Sequence, residues 1–182
     1  MRSAFLIALA LASVSTAQAS PSGSQHPRVG VLGEVNFQLD SARVPTDTRT
    51  NGKLGEIAAW AKDNPDGLVV LDGHADWTGE EPHNVRLSTQ RGEAVREKLI
   101  AVGVDPDQIV IAAYGEAGPQ RPKLADNRRV TVWGTHQNVD AVTDRTLKTG
   151  TAVVWSPNLK EKPAQARPVE ARQRSRGTPR GY

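Results

Sequence analysis

The stretch Leu68–His74 (LVVLDGH) constrains this chain more than any other. Its first four residues are apolar without alternation, the pattern of a central strand buried on both faces. Before it, Asn64-Pro65-Asp66-Gly67 is a breaker, because Pro disfavours helix at the residue preceding it and Asp-Gly suits a turn. After it, Asp76–His83 (DWTGEEPH) reads as a loop, and Asn84–Val102 as a helix closed by Gly103. A buried strand feeding a loop and then an amphipathic helix predicts a layered α/β domain.

Three more strands and one more helix complete that domain. Val35, Phe37 and Leu39 alternate with polar neighbours, which predicts a strand over Val31–Leu39. DSARVPTDTRTN follows as a loop, and Leu54, Ile57, Ala58 and Ala61 recur at helical spacing over Gly52–Lys62. Gln108–Tyr114 and Arg128–Trp133 read as the last two strands, separated by the Gly/Pro-rich GEAGPQRPKLAD. The order is β-α-β-α-β-β, expected as a mixed four-stranded sheet with two helices on one face, a two-layer sandwich around one core. Thr151–Trp155 (TAVVW) has the composition of one more strand.

The ends of the chain read differently. Residues 1–19 combine Arg2, an apolar run from Ala4 and Ala17-Gln18-Ala19, the three-part pattern of a secretory signal peptide. Residues 20–30 are a Ser/Pro/Gly linker, 31–136 the domain, and 137–182 a basic extension, expected to be largely disordered from Pro163 onward. The extension holds nine Lys/Arg against four Asp/Glu, whereas residues 20–136 hold thirteen against sixteen. No other segment has the roughly twenty apolar residues that a membrane span needs. With no cysteine, disulfides, thiol catalysis, Cys-ligated zinc and a lipid-modified N-terminal cysteine are excluded.

One residue breaks the pattern of the second helix. Leu87, Ala94, Val95, Leu99 and Val102 share one sector of its surface, and Arg91 falls inside it. A guanidinium there must reach water or find an anion, because an uncompensated buried charge is very costly. Asp76, at the end of the central strand, is the nearest candidate in the predicted layout. Two readings follow: an internal Asp76–Arg91 salt bridge, or a receptor for a zwitterion whose ammonium meets Asp76 and whose carboxylate meets Arg91 in bidentate fashion.

The spacing around these residues is specific. From Ala75-Asp76, ten residues pass before Leu87-Ser88, two before Arg91-Gly92, and two before Val95. This resembles the TD-x10-LS-x2-RA-x2-V signature of the OmpA-like C-terminal domain shared by OmpA, Pal and MotB. Phe37 with Asp40 and Ser41, GHAD at residues 73–76, Asn84, Gly115 and Asn127-Arg128-Arg129-Val130 extend the resemblance over about residues 31–135. Ala75 stands where the signature has Thr, and Gly92 where it has Ala; glycine costs roughly 1 kcal/mol in a helix interior but permits closer packing.

The resemblance implies non-covalent binding of peptidoglycan in the periplasm, near the outer membrane, without cofactor or catalysis. It implies that Asp76 takes the ammonium and Arg91 the carboxylate of a diaminopimelate side chain in the stem peptide. Asn84 and Leu87 would line the pocket, the loop after Phe37 would offer backbone donors near Asp40, and Arg129 would either touch ligand or support the sheet edge. Other envelope proteins are the further partners it suggests.

Rival chemistry has thinner support. His74, Asp76 and His83 read as metal ligands only without a recognised spacing; Ser88 with His74 and Asp72 would make a hydrolytic set, against a simpler role for Ser88 at the helix N-terminus. The sequence pI of 9.4 raises nucleic-acid binding, but the basic tail lacks interleaved aromatics before Tyr182 and the chain is expected to be exported. A module of the same fold that binds an envelope protein, its Asp/Arg pair closed internally, remains the alternative.

Overall fold

The computed structural model describes residues 30–148 and 153–157. The expected signal peptide, residues 20–29 of the expected linker and the tail from Pro163 lie outside the described residues, while Gly30, read as the end of the linker, opens the first strand. Five strands form one sheet in the order β1-β4-β2-β3-β5: β1 (Gly30–Asn36), β2 (Leu68–Gly73), β3 (Ile109–Ala113), β4 (Arg129–Thr135) and β5 (Val153–Trp155). The helices are α1 (Thr48–Asp63), α2 (Glu81–Ala101) and α3 (Val139–Leu147). β2 and β3 pair parallel across the α2 crossover, and every other neighbouring pair is antiparallel.

The mixed α/β sheet is as expected, but it has five strands rather than four, and helices lie on both faces. Val69, Leu71, Ile109, Ile111, Val130 and Val132 pack with Leu54, Ile57 and Ala61 of α1 and Val95 and Leu99 of α2. On the opposite face Val70, Val110, Ala112, Tyr114 and Trp133 pack with Val142 of α3 and Val154 of β5. The unbroken run LVVL required cover on both sides, and α3 supplies the second.

Element ends differ from expectation for local reasons. α1 begins four residues before Gly52 because the Asp47 carboxylate accepts from the Thr50 amide at 2.8 Å, an N-cap; its first turn is too polar to show periodicity. α2 begins at Glu81, with Pro82 in its first turn, a position where the missing N–H costs nothing. β1 stops at Asn36, and the chain then turns so that Asp40 takes φ 49°, a left-handed conformation that Asp tolerates better than most residues. Gly92 has a packing role: a Cβ there would lie 2.6 Å from Ile111 Cγ2, so the glycine sets how closely α2 approaches β3.

Candidate functional site

Four segments meet at the end of the sheet where β2 finishes. The chain past Gly73 stays tied in, with the His74 amide donating to the Arg129 carbonyl and the Ala75 amide to the Gly115 carbonyl. This fixes Asp76 beside the turn after β1, the first turns of α2 and Arg128, just before β4. Together they enclose a cavity of about 250 Å³ lined by Leu39, Asp40, Ala75, Asp76, Thr78, Gly79, His83, Asn84, Leu87, Arg91 and Arg128.

Arg91 reaches this cavity from α2 and exposes no surface, 0%. Its Nε donates to the Ser41 carbonyl at 2.9 Å, Nη1 to the His74 carbonyl at 2.9 Å and Nη2 to the Gln38 carbonyl at 3.3 Å. The guanidinium also lies over the Phe37 ring, 5.3 Å from its centre, a favourable cation–π placement. Three of its five N–H groups therefore tie the turn after β1 to the end of β2. That turn meets the arginine through the carbonyls of Gln38 and Ser41. Burial brings the Arg91 pKa down to about 10, with Asp76 opposing the shift, so the group is cationic at neutral pH.

Asp76 is paired, but with Arg128. Arg128 Nη1 lies 3.2 Å from Asp76 Oδ2, and Arg128 Nε donates to the Phe37 carbonyl at 3.3 Å. The other carboxylate oxygen accepts from the Thr78 amide at 3.1 Å and from the Thr78 hydroxyl. Burial would raise the Asp76 carboxyl, yet the Thr78 hydrogen bonds and the Arg128 guanidinium hold it below the ordinary value. Thr78 thus gives Asp76 the hydroxyl that Ala75 lacks.

The remaining expected residues divide. Asn84 and Leu87 line the cavity, with Asn84 Nδ2 donating to Glu116 Oε2 at 2.6 Å and to the Gly79 carbonyl at 3.3 Å. Asp40 lines it too, its Oδ1 2.9 Å from His83 Nε2. Arg129 does not. Residues 129, 131 and 133 of β4 point away from α2, and Arg129 is held there by the Pro119 and Asp126 carbonyls and the Asn127 side chain, 3.9 Å from Glu34 Oε2. Strand alternation was the signal that separates the two arginines of NRRV: when one faces the far side of the sheet, the other takes the near side.

His74 and His83 sit in different surroundings. His74 stacks on Tyr114 with ring centres 5.3 Å apart, while His83 pairs with Asp40 across the cavity; among the described residues no three His, Asp or Glu side chains are grouped to hold a metal. Ser88 is not at the helix N-terminus but on the second turn of α2, fully buried, where its hydroxyl donates to the Val85 carbonyl and accepts from the Gly115 amide at 3.0 Å.

The cavity therefore presents two carboxylates, Asp40 and Asp76, and two guanidiniums, Arg91 and Arg128, within one small volume. Such a lining has no net charge but a strong internal polarity, which suits a small dipolar ion better than a simple anion or cation.

Comparison with known proteins places the fold in a family. The model of the OmpA family matches residues 36–133. The peptidoglycan-associated lipoprotein of Brucella melitensis is 32% identical over 125 residues, covering 69% of this chain and 70% of that protein. The peptidoglycan-binding protein ArfA of Mycobacterium bovis is 34% identical over 106 residues, 55% of this chain but only 32% of ArfA. The C-terminal domain of Helicobacter pylori MotB shares the fold, with a TM-score of 0.50 at 19% identity over 64% of this chain and 93% of that one. The chain belongs to the OmpA family.

Proposed function

We propose that this domain binds peptidoglycan non-covalently by holding the zwitterionic end of a diaminopimelate side chain in the stem peptide. The observation that carries the reading is the pairing of two carboxylates with two guanidiniums around a cavity of about 250 Å³. Asp76 accepts from the ligand ammonium, and the Arg91 guanidinium, part of the cavity lining, meets its carboxylate. Asn84 and Leu87 form the wall, and Asp40 adds negative charge on the ammonium side. The names of the Brucella and Mycobacterium relatives support the same ligand class. The site binds and does not turn over its ligand, with no cofactor. Export places it in the periplasm, against the cell wall and near the outer membrane, where other envelope proteins are its further partners and nucleic acid is not.

Each charge-assisted hydrogen bond contributes about 1.5–3 kcal/mol. A few such bonds give modest affinity at one stem peptide, and the repeating polymer makes attachment collectively retentive.

A second reading has one observation in its favour. Arg128 already neutralises Asp76 and three carbonyls already occupy Arg91, so the site is also closed as an internal network, and the domain then docks an envelope protein. Co-sedimentation with purified, insoluble peptidoglycan separates the two. The wall-binding reading expects the protein in the pellet, and Asp76→Asn and Arg91→Ala in the supernatant with native circular dichroism. Should Arg91→Ala lose its fold, Asp76→Asn decides alone. Wild type left in the supernatant overturns wall binding.

A further inference from the structure

Of residues 75–79, the four that line the cavity are Ala75, Asp76, Thr78 and Gly79. Trp77 is the exception. Its indole is 49% exposed, although both its neighbours turn inward. Leu39, from the turn after β1, lines the cavity and is 65% exposed. Trp is among the residue types most enriched where a protein anchors a partner, and this one stands half out of water next to a charged cavity.

The size of the cavity bears on what this surface meets. Pockets for drug-sized ligands run about 300–1,000 Å³, so a cavity of about 250 Å³ holds only part of a peptidoglycan fragment. The rest of a peptidoglycan fragment has to leave across the rim. The stem peptide continues from its diaminopimelate through two residues and a lactyl ether to an N-acetylated sugar, whose ring has one face of C–H bonds flanked by hydroxyl edges. An exposed indole offers a flat apolar face, and its edge N–H is suited to a wet, half-apolar partner.

We propose that Trp77 is a sugar-stacking residue, which extends the site from the stem peptide onto the glycan. This rests on the peptidoglycan reading above and adds a second class of ligand to it. The chemistry divides the ligand in two: charged groups around Asp76 read the peptide, and Trp77 reads the glycan.

The test is isothermal titration calorimetry of the full mature chain with two soluble fragments, a diaminopimelate-containing tripeptide and the same tripeptide carrying its N-acetylglucosaminyl-N-acetylmuramyl disaccharide. Wild type is expected to bind the disaccharide-peptide about three- to tenfold more tightly than the bare peptide, the size of one aromatic stacking contact. Trp77→Ala is expected to lose that gain while keeping the bare-peptide affinity, and Trp77→Tyr to keep most of it. Equal wild-type affinity for the two fragments overturns sugar stacking and leaves peptide binding standing. A Trp77→Ala loss that is the same for both fragments also overturns it, since the indole then touches peptide. Wild type that binds neither fragment overturns the peptidoglycan reading, and this inference with it.

Discussion

Arg128 holds Asp76 by an Nη1–Oδ2 contact of 3.2 Å, while Thr78 holds the opposite carboxylate oxygen. The carboxylate is thereby held in one orientation from both of its oxygens. It is also partly neutralised by that resident cation.

Replacing Arg128 with Gln is expected to raise the Asp76 pKa, because it removes one of the interactions that favour the ionised form. The loss of a charge-assisted bond to a buried carboxylate costs about 1–3 kcal/mol at neutral pH. The sign in acid follows from the depressed folded-state value: this stability is complete above the unfolded carboxylate pKa of about 4 and is lost as pH falls through the folded one. Carboxyl titration by NMR in wild type and Arg128→Gln checks it, and an unchanged Asp76 pKa would count against the pair.

Arg91→Lys is the test of what the guanidinium does for the fold. An ammonium cannot satisfy the Ser41, His74 and Gln38 carbonyls together, since it lacks the planar fork. Buried acceptors left without donors cost about 1–3 kcal/mol each in full desolvation. Urea unfolding should show a loss of about 2–4 kcal/mol, and a midpoint equal to wild type would mean the three bonds are dispensable.

His74 gives the fold a pH dependence of its own. Burial, together with the charges of Arg129 and Arg121, holds its pKa well below the ordinary imidazole value. The unfolded chain therefore takes up a proton that the folded chain refuses. Stability is full above the unfolded histidine pKa of about 6.5 and falls below it, by at most about 1.4 kcal/mol per pH unit from this one group. His74→Phe preserves the stack on Tyr114 and is expected to flatten the decline in urea midpoint between pH 7 and pH 5. A decline of equal slope in the variant would assign it to other groups.

Gly92→Ala sets two effects against each other. Alanine gains about 1 kcal/mol of helix propensity, but its methyl would lie 2.6 Å from Ile111 Cγ2 in the core. Overpacking of this kind costs about 1–3 kcal/mol, and neither backbone nor branched side chain is free to swing away. The variant is expected to be less stable than wild type, with Ile111→Ala making the second substitution less harmful than it is alone. Thermal unfolding of the two single variants and the double variant measures that coupling.

The sequence carried the main layers and the principal charges because those signals are local. LVVLDGH is a strand at any scale, and Arg91 stands out on its helix because the period of 3.6 residues leaves no doubt which face it shares with Leu87, Val95 and Leu99. The partner of Asp76 was not legible. Arg128 and Arg129 are adjacent and chemically identical, and only the register of β4 decides which side of the sheet each one takes. Ser88 misled for a similar reason: its hydroxyl serves Gly115, 27 positions away, and no local pattern records that bond. α3 was missed because nine residues carry barely two turns of periodicity, with Val142 the buried apolar residue that marks its face. The TAVVW strand was visible, but nothing in it named β3 as its neighbour.

That last pairing has a consequence for the molecule's behaviour toward copies of itself. Without β5, the strand β3 would be the rim of the sheet, and all five of its residues are buried. An uncovered, flat, apolar rim of unpaired amides and carbonyls is a template on which another chain can continue the sheet. Val153–Trp155, paired antiparallel to Ile111–Ala113, occupies that template, and Arg96 lies over Trp155 with its guanidinium 4.4 Å from the ring centre. Short as it is, β5 works as a stopper, and a chain cut after Lys148 should be the one that precipitates, whereas a chain cut after Pro157 should stay dispersed.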